Sequence, residues 1–212
     1  MPQTTMSRTA RLWAILVANL ALVGALIGVG ITAHSLGVWA EGADYLADAA
    51  AIGVSLLAIR LSKQAPTPRH PEGCPRATRY AAAVNGAWLL LLSVLVGAGS
   101  TERLVAGGRQ VHGLPVLVVS GAAAAVMLAG ALLLSADIDH DGDADDDLNL
   151  RAVLLDTAAD SAAAAGVAVT GAVIYRTHGL YWLDPAVALA IALVVGYQAV
   201  RLLSRTRDAL RQ

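Results

Sequence analysis

The sequence predicts an all-α integral membrane protein with six transmembrane helices and both termini in the cytoplasm. Of its 212 residues 57% are hydrophobic and only 15% are charged, and the mean hydropathy is +0.61. Soluble domains are about one quarter charged, so this composition is typical of a membrane protein. A net charge of −1 offers nucleic acid no basic surface. The single cysteine, Cys74, excludes an intramolecular disulfide and a multi-cysteine zinc site.

Six stretches are apolar enough to cross a bilayer, which takes roughly 20 residues of helix. They cover about residues 11–33, 37–59, 79–101, 114–135, 150–175 and 185–203. After a short N-terminus at 1–10 they use most of the chain, so we expect no sizeable soluble domain. Pro115 and Pro185 fall in the first turns of the fourth and sixth helices, where a missing N–H costs nothing. Asp184 is expected to cap the sixth helix.

The orientation follows from the basic residues. With both termini inside, twelve lysines and arginines lie in the inner segments and three lie outside, namely Arg103, Arg109 and Arg176. This bias obeys the positive-inside rule and predicts cytoplasmic termini. The expected location is the inner (cytoplasmic) membrane of a bacterium.

Carboxylates inside the predicted spans are the informative residues, since each costs roughly 2.5–3.5 kcal/mol at the bilayer centre. The second span holds Glu41, Asp44 and Asp48, and the fifth holds Asp156 and Asp160. Residues four apart lie about 40° apart on one helix face, so each span presents a pair of aspartates. No cation lies at matching depth, so the carboxylates must share protons or a divalent ion. The alternative is a set of unrelated polar residues that line a wet crevice.

Several segments resemble the cation diffusion facilitator family of metal transporters. HSLGVWAEGADYLADAAAIGVSLLAIR is similar to the family's second helix, and RHPEGCPRA to its cytoplasmic HPYGHGRAE stretch. VNGAWLLLLSVLVGAGSTERL is similar to the third helix, and NLRAVLLDTAADSAAAAGV to the family's NLRAAYLHVLGDALGSVGV. YWLDPAVALAIALVV resembles the opening of the sixth helix. The resemblance covers about residues 11–208, the expected six-helix domain.

The resemblance implies a secondary transporter, not an enzyme, that exports a divalent metal ion in exchange for protons. It would work by alternating access as a homodimer in the lipid bilayer, with no cofactor besides the transported ion. The implied metal ligands are Asp44, Asp48, Asp156 and Asp160, with Glu41 and Asn149 in supporting positions.

Two departures from the family's pattern affect these expectations. Members usually continue into a ferredoxin-like cytoplasmic domain, whereas this chain stops at Gln212, which predicts a member without that domain. Asp156 stands where zinc members typically carry histidine, so the expected site is all carboxylate. Zinc is favoured because it dominates the family, while the oxygen ligands leave Mn²⁺, Fe²⁺, Co²⁺ and Cd²⁺ open.

Two polar segments hold further candidate residues. Cys74 replaces a histidine of the family's cytoplasmic stretch, so His70 and Cys74 are candidate ligands of a second metal; the alternative is an exposed, inert cysteine. An acidic loop at 136–148 would attract cations to the cytoplasmic mouth, or else serve as a solvated linker. Its side chains are Asp137, Asp139, His140, Asp141, Asp143, Asp145, Asp146 and Asp147.

Two functions from other classes also use membrane carboxylates. A passive divalent-cation channel would place acidic rings along a pore and needs no pH gradient. An intramembrane aspartyl hydrolase needs one aspartate on each of two helices in contact, rather than two pairs spaced four residues apart. Metal uptake into vesicles under an imposed pH gradient separates both from an antiporter.

Overall fold

The chain folds into six α-helices, seen in a computed structural model that describes residues 8–62, 75–138 and 144–211. The helices are α1 (Arg8–Ala33), α2 (Leu36–Ser62), α3 (Pro75–Val105), α4 (Gly113–Ile138), α5 (Ala144–Thr177) and α6 (Leu183–Arg211). These ranges contain no β-strand. The predicted all-α, six-helix architecture is confirmed.

Four of the six helices have the length and the apolar composition of membrane spans in their described residues. Within the described ranges, α3, α4, α5 and α6 each contain an apolar stretch of 20 residues or more, and α1 contributes a shorter one at Leu20–Ala33. Large apolar side chains cover the outside of the bundle, and Val84, Leu155 and Leu193 are each about two thirds exposed or more. An apolar surface of this extent is stable only against lipid or another apolar surface.

The helices extend past the apolar stretches, and the connection between α4 and α5 is shorter than the predicted 136–148 loop. Since α4 runs to Ile138 and α5 begins at Ala144, four of the acidic residues belong to helix ends: Asp137, Asp145, Asp146 and Asp147. Carboxylates in a first helical turn favour the helix through its dipole, which explains the early start of α5. The other candidates of the two polar segments lie outside the described residues: His70, Cys74, Asp139, His140, Asp141 and Asp143.

Small residues allow the helices to pack closely in pairs. The most extensive contacts join α4 to α5 and α3 to α6, whereas α2 and α5 touch at few residues. Alanine supplies 12 of the 23 buried hydrophobic residues among those described, and the largest buried side chain is Tyr45. In a bilayer the hydrophobic effect does not drive helices together, because lipid tails are as apolar as the side chains. Close van der Waals packing is therefore a main source of attraction between membrane helices.

The α4–α5 pair is closest where Gly113 faces Gly171. A Cβ atom at Gly171 would lie 2.6 Å from the Leu117 nitrogen and 2.9 Å from the Gly113 carbonyl oxygen. A Cβ atom at Gly113 would lie 2.5 Å from the Gly171 carbonyl oxygen. Since these neighbours are backbone atoms, the two helices would have to separate to admit any side chain.

We therefore expect Gly171→Ala to destabilise the protein by about 3 kcal/mol, the upper part of the usual range for overpacking. Gly121→Ala on α4 is the matched control, because a Cβ there meets nothing within 4 Å. The control should be neutral or slightly stabilising, since alanine favours a helix. Thermal unfolding of both variants in detergent measures the difference. Equal melting temperatures would contradict the backbone contact.

Candidate metal-binding site

A cavity of about 420 Å³ lies among α2, α5 and α6. Asp44 from α2 and Asp160 from α5 line it, and α6 supplies Ile191 and Gln198. It forms where α2 and α5 have few contacts with each other, while α6 packs against both helices. Two carboxylates on different helices thus line one half-open cavity, and their oxygens are ligands that suit a divalent cation.

The other two predicted ligands stand one turn away on the same helices. Asp156 precedes Asp160 on α5, has an exposed side chain, and lies within electrostatic range of Asp44. Asp48 follows Asp44 on α2, and its side chain lies outside the described part of the structure, as does that of Asn149 on α5. Among the described side chains, no three of the metal-binding types come together as a ready site. The four-aspartate site therefore stays a prediction.

Glu41 lies three residues before Asp44 and is almost fully buried, with 3% of its surface exposed. The Ser120 hydroxyl on α4 donates to Glu41 Oε2 at 2.6 Å, which joins α2 to α4. Among the described residues, Glu41 Oε1 has no hydrogen-bond partner. Glu41 is also within electrostatic range of Asp44. Ser120 could not be identified from the sequence, because one serine in an apolar helix carries no periodic signal.

Asp184 does not play the predicted role of capping its own helix. Its hydrogen bonds go to the first turn of α2: the Ser35 hydroxyl donates to Oδ1, the Leu36 N–H to Oδ2 at 2.8 Å, and the Gly37 N–H to Oδ1 at 3.2 Å. The Ser35 oxygen in turn accepts from the Val38 N–H at 3.1 Å, as a helix cap does. Asp184 thus caps α2 from α6.

A helical bundle with membrane spans and two carboxylates at a cavity among its helices is an arrangement that suits a cation transporter. Comparison with known families agrees: the cation efflux transmembrane domain matches residues 12–210. The chain belongs to the cation efflux family, which is a family of transporters and not of enzymes. The resemblance found in the sequence is therefore confirmed.

The curated relatives are metal transporters. The zinc transporter ZitB of Yersinia pestis is 31% identical over 193 residues, which cover 91% of this chain and 59% of that protein. ZitB of Escherichia coli is 32% identical over 85% of this chain and 56% of its own length. The human proton-coupled zinc antiporter SLC30A2 is 27% identical over 82% of this chain and 48% of its length. The chain thus spans roughly half the length of these relatives.

We expect Ser120→Ala to lower the free energy of unfolding by about 1–3 kcal/mol, because it leaves a buried carboxyl oxygen of Glu41 without its hydrogen bond. Ser135→Ala is the control on the same helix, since that hydroxyl bonds only within α4, to the Leu132 carbonyl. Unfolding in detergent compares the two variants. Repeating Ser120→Ala in a Glu41→Gln background should reduce its cost; an unchanged cost would mean that the Ser120–Glu41 bond does not stabilise the protein.

Proposed function

We propose that this protein exports divalent transition-metal ions from the cytoplasm in exchange for protons. The observation that carries the proposal is the cavity shared by Asp44 and Asp160 on two different helices of a membrane bundle. Family membership supports it, since two of the relatives are named a zinc/proton-coupled antiporter and a zinc transporter. The experiment that tests it is metal uptake into proteoliposomes under an imposed pH gradient.

Metal binding follows from the charge of the site. In the proposed site, Asp48 and Asp156 join Asp44 and Asp160 from one turn away on the same helices, so that up to four carboxylates would share one ion. A divalent ion offsets much of their mutual repulsion and supplies the positive charge that the apolar surroundings lack. The same oxygens bind protons when the metal leaves. Metal and protons therefore compete for one site, which makes their exchange obligatory.

Transport then requires the cavity to open to each side in turn. In the proposed orientation both termini face the cytoplasm, in agreement with the positive-inside bias of the sequence. Metal enters from the cytoplasm onto deprotonated carboxylates, the helices rock, and protons from the far side displace it. The proposed location is the inner membrane of a bacterium, and the proposed working unit is a homodimer.

Zinc is the proposed main substrate. The support comes from relatives named as zinc transporters, and from the tighter binding of Zn²⁺ than of Mn²⁺ at most protein sites. The carboxylate ligands also suit Mn²⁺ and Fe²⁺, and a relative from Bacillus velezensis is named a cadmium, cobalt and zinc antiporter, so Cd²⁺ and Co²⁺ belong in the same transport assay.

Removing the charge of either cavity aspartate should abolish most of the transport. Loss of outer-shell partners of a metal typically costs 10–100-fold in affinity or activity, so we expect Asp44→Asn and Asp160→Asn each to cost about 100-fold or more. Asp208→Asn is the matched control, because that carboxylate is exposed near the end of α6. Zinc uptake into proteoliposomes, with a trapped indicator dye, measures all three variants. Near-normal uptake by either cavity variant would remove that residue from the site.

The pH dependence separates the proposed antiporter from the alternatives. Because protons and metal compete for the carboxylates, the apparent affinity for Zn²⁺ should fall as the pH drops from neutral to mildly acidic. A pH gradient alone should also drive uptake against a zinc gradient. Calorimetric titration measures the first effect and proteoliposome flux the second. Uptake that only follows the zinc gradient would indicate a passive channel, and an affinity independent of pH would contradict a shared site.

A further inference from the structure

Asp184 and the first turn of α2 form a contact that the transport mechanism above does not use. We call Ser35, Leu36, Gly37 and Asp184 the Asp184 junction. The Asp184 side chain is 1% exposed, and both of its oxygens accept hydrogen bonds from α2. A buried carboxylate needs such partners, and the free N–H groups at the start of a helix need acceptors. The Asp184 carboxylate thus accepts hydrogen bonds from the free N–H groups of α2, and these N–H groups supply the hydrogen bonds that the buried carboxylate needs.

A third helix meets the junction at Gly37. A Cβ atom there would lie 3.2 Å from Asp184 Oδ1 and 3.3 Å from Cγ1 of Val167 on α5. There is therefore little room for a side chain where α2, α5 and α6 meet. The contact also reaches α3, because Arg103 Nη1 donates to the His34 carbonyl oxygen at 2.6 Å and lies within electrostatic range of Asp184.

The residues of the junction and those of the cavity lie on the same faces of their helices, two turns apart. Asp44 lies seven residues from Gly37, Asp160 seven from Val167, and Ile191 seven from Asp184. Seven residues make two helical turns, about 10 Å, and return to nearly the same helix face. All three residues reached in this way line the one cavity. The three helices that meet at the junction are thus the three that form the cavity walls, with the same faces turned inward.

We propose that Asp184 is a positioning residue, which fixes α2 against α5 and α6 and so holds Asp44 opposite Asp160 across the cavity. The proposal rests on the proposed function, because it assigns the geometry of the transport site to a contact two turns away. Elsewhere α2 and α5 touch little, so the spacing of their carboxylates depends on contacts of this kind. Asp184 itself lies outside the cavity lining.

Asp184→Asn tests the proposal, because it keeps the shape of the side chain but turns one acceptor into a donor that faces the N–H and O–H groups of α2. We expect zinc affinity in calorimetric titration to fall about tenfold or more, as for outer-shell partners of metal sites. Ser35→Ala should act in the same direction but less, since the two N–H bonds to Asp184 remain. The double variant should lose little more than Asp184→Asn alone, because both changes act through one contact.

Ser100→Ala is the matched control. Its hydroxyl is fully buried on α3 and, among the described residues, has no hydrogen-bond partner. We expect its zinc affinity to equal that of the parent. A control that loses as much affinity as Ser35→Ala would overturn the proposal, since any buried change in this region would then have the same effect.

The spacing of α2 and α5 can be measured without metal, so the positioning role of Asp184 can be tested separately from the proposed metal transport. Spin labels on cysteines at Ala50 and Leu155, both exposed, report the spacing of α2 and α5 in a Cys74→Ser background. The distance distribution should broaden or shift in Asp184→Asn and stay unchanged in Ser100→Ala. If the parent binds no divalent metal, the proposed function fails while this distance still tests the junction.

Two results would overturn the positioning role. One is a folded Asp184→Asn protein with parental zinc affinity and a parental label distance. The other is loss of folding in Asp184→Asn and Ser35→Ala alike, because the junction would then serve folding alone.

Discussion

Burial of carboxylates among apolar helices is the constraint on which the rest of this structure depends. A charged oxygen without partners is costly in such surroundings, and the protein meets that cost in three different ways. Glu41 receives a hydroxyl from the neighbouring α4, and Asp184 receives the first turn of α2. Asp44 and Asp160 line a cavity among three helices. The first two solutions bind helices together, whereas the third leaves room for a cation.

The sequence predicted the helices well, because runs of about twenty apolar residues have few other stable structures. It also assigned Asp44 and Asp160 to one site, and the two residues do line the same cavity. It could not find contacts between distant segments. The Ser120 hydroxyl lies 79 residues from Glu41, and Asp184 lies 149 residues from Ser35. Asp184 next to proline resembles a local cap, and only the packing of α6 beside α2 reveals that it caps another helix.

The helix ends differ from prediction for a related reason. Hydropathy marks where the apolar part of a helix stops, whereas hydrogen bonding and the helix dipole decide where the helix itself stops. Polar first and last turns therefore lengthen α3 and α5 beyond the apolar stretches. The grouping of all four aspartates stays a prediction from the sequence, because the Asp48 side chain lies outside the described residues and that of Asp156 is exposed.

The backbone contact between Gly113 and Gly171 has a consequence for thermodynamic linkage. Helices that touch through main-chain atoms cannot separate or rotate without losing that contact, so the contact favours movement of α4 and α5 as one unit. This unit carries Ser120, which bonds Glu41, as well as Asp160, which lines the cavity. A displacement that changes the surroundings of one carboxylate therefore changes those of the other. Such coupling is reciprocal, so the Ser120–Glu41 bond and the cavity wall at Asp160 would shift together, whichever of them changes first.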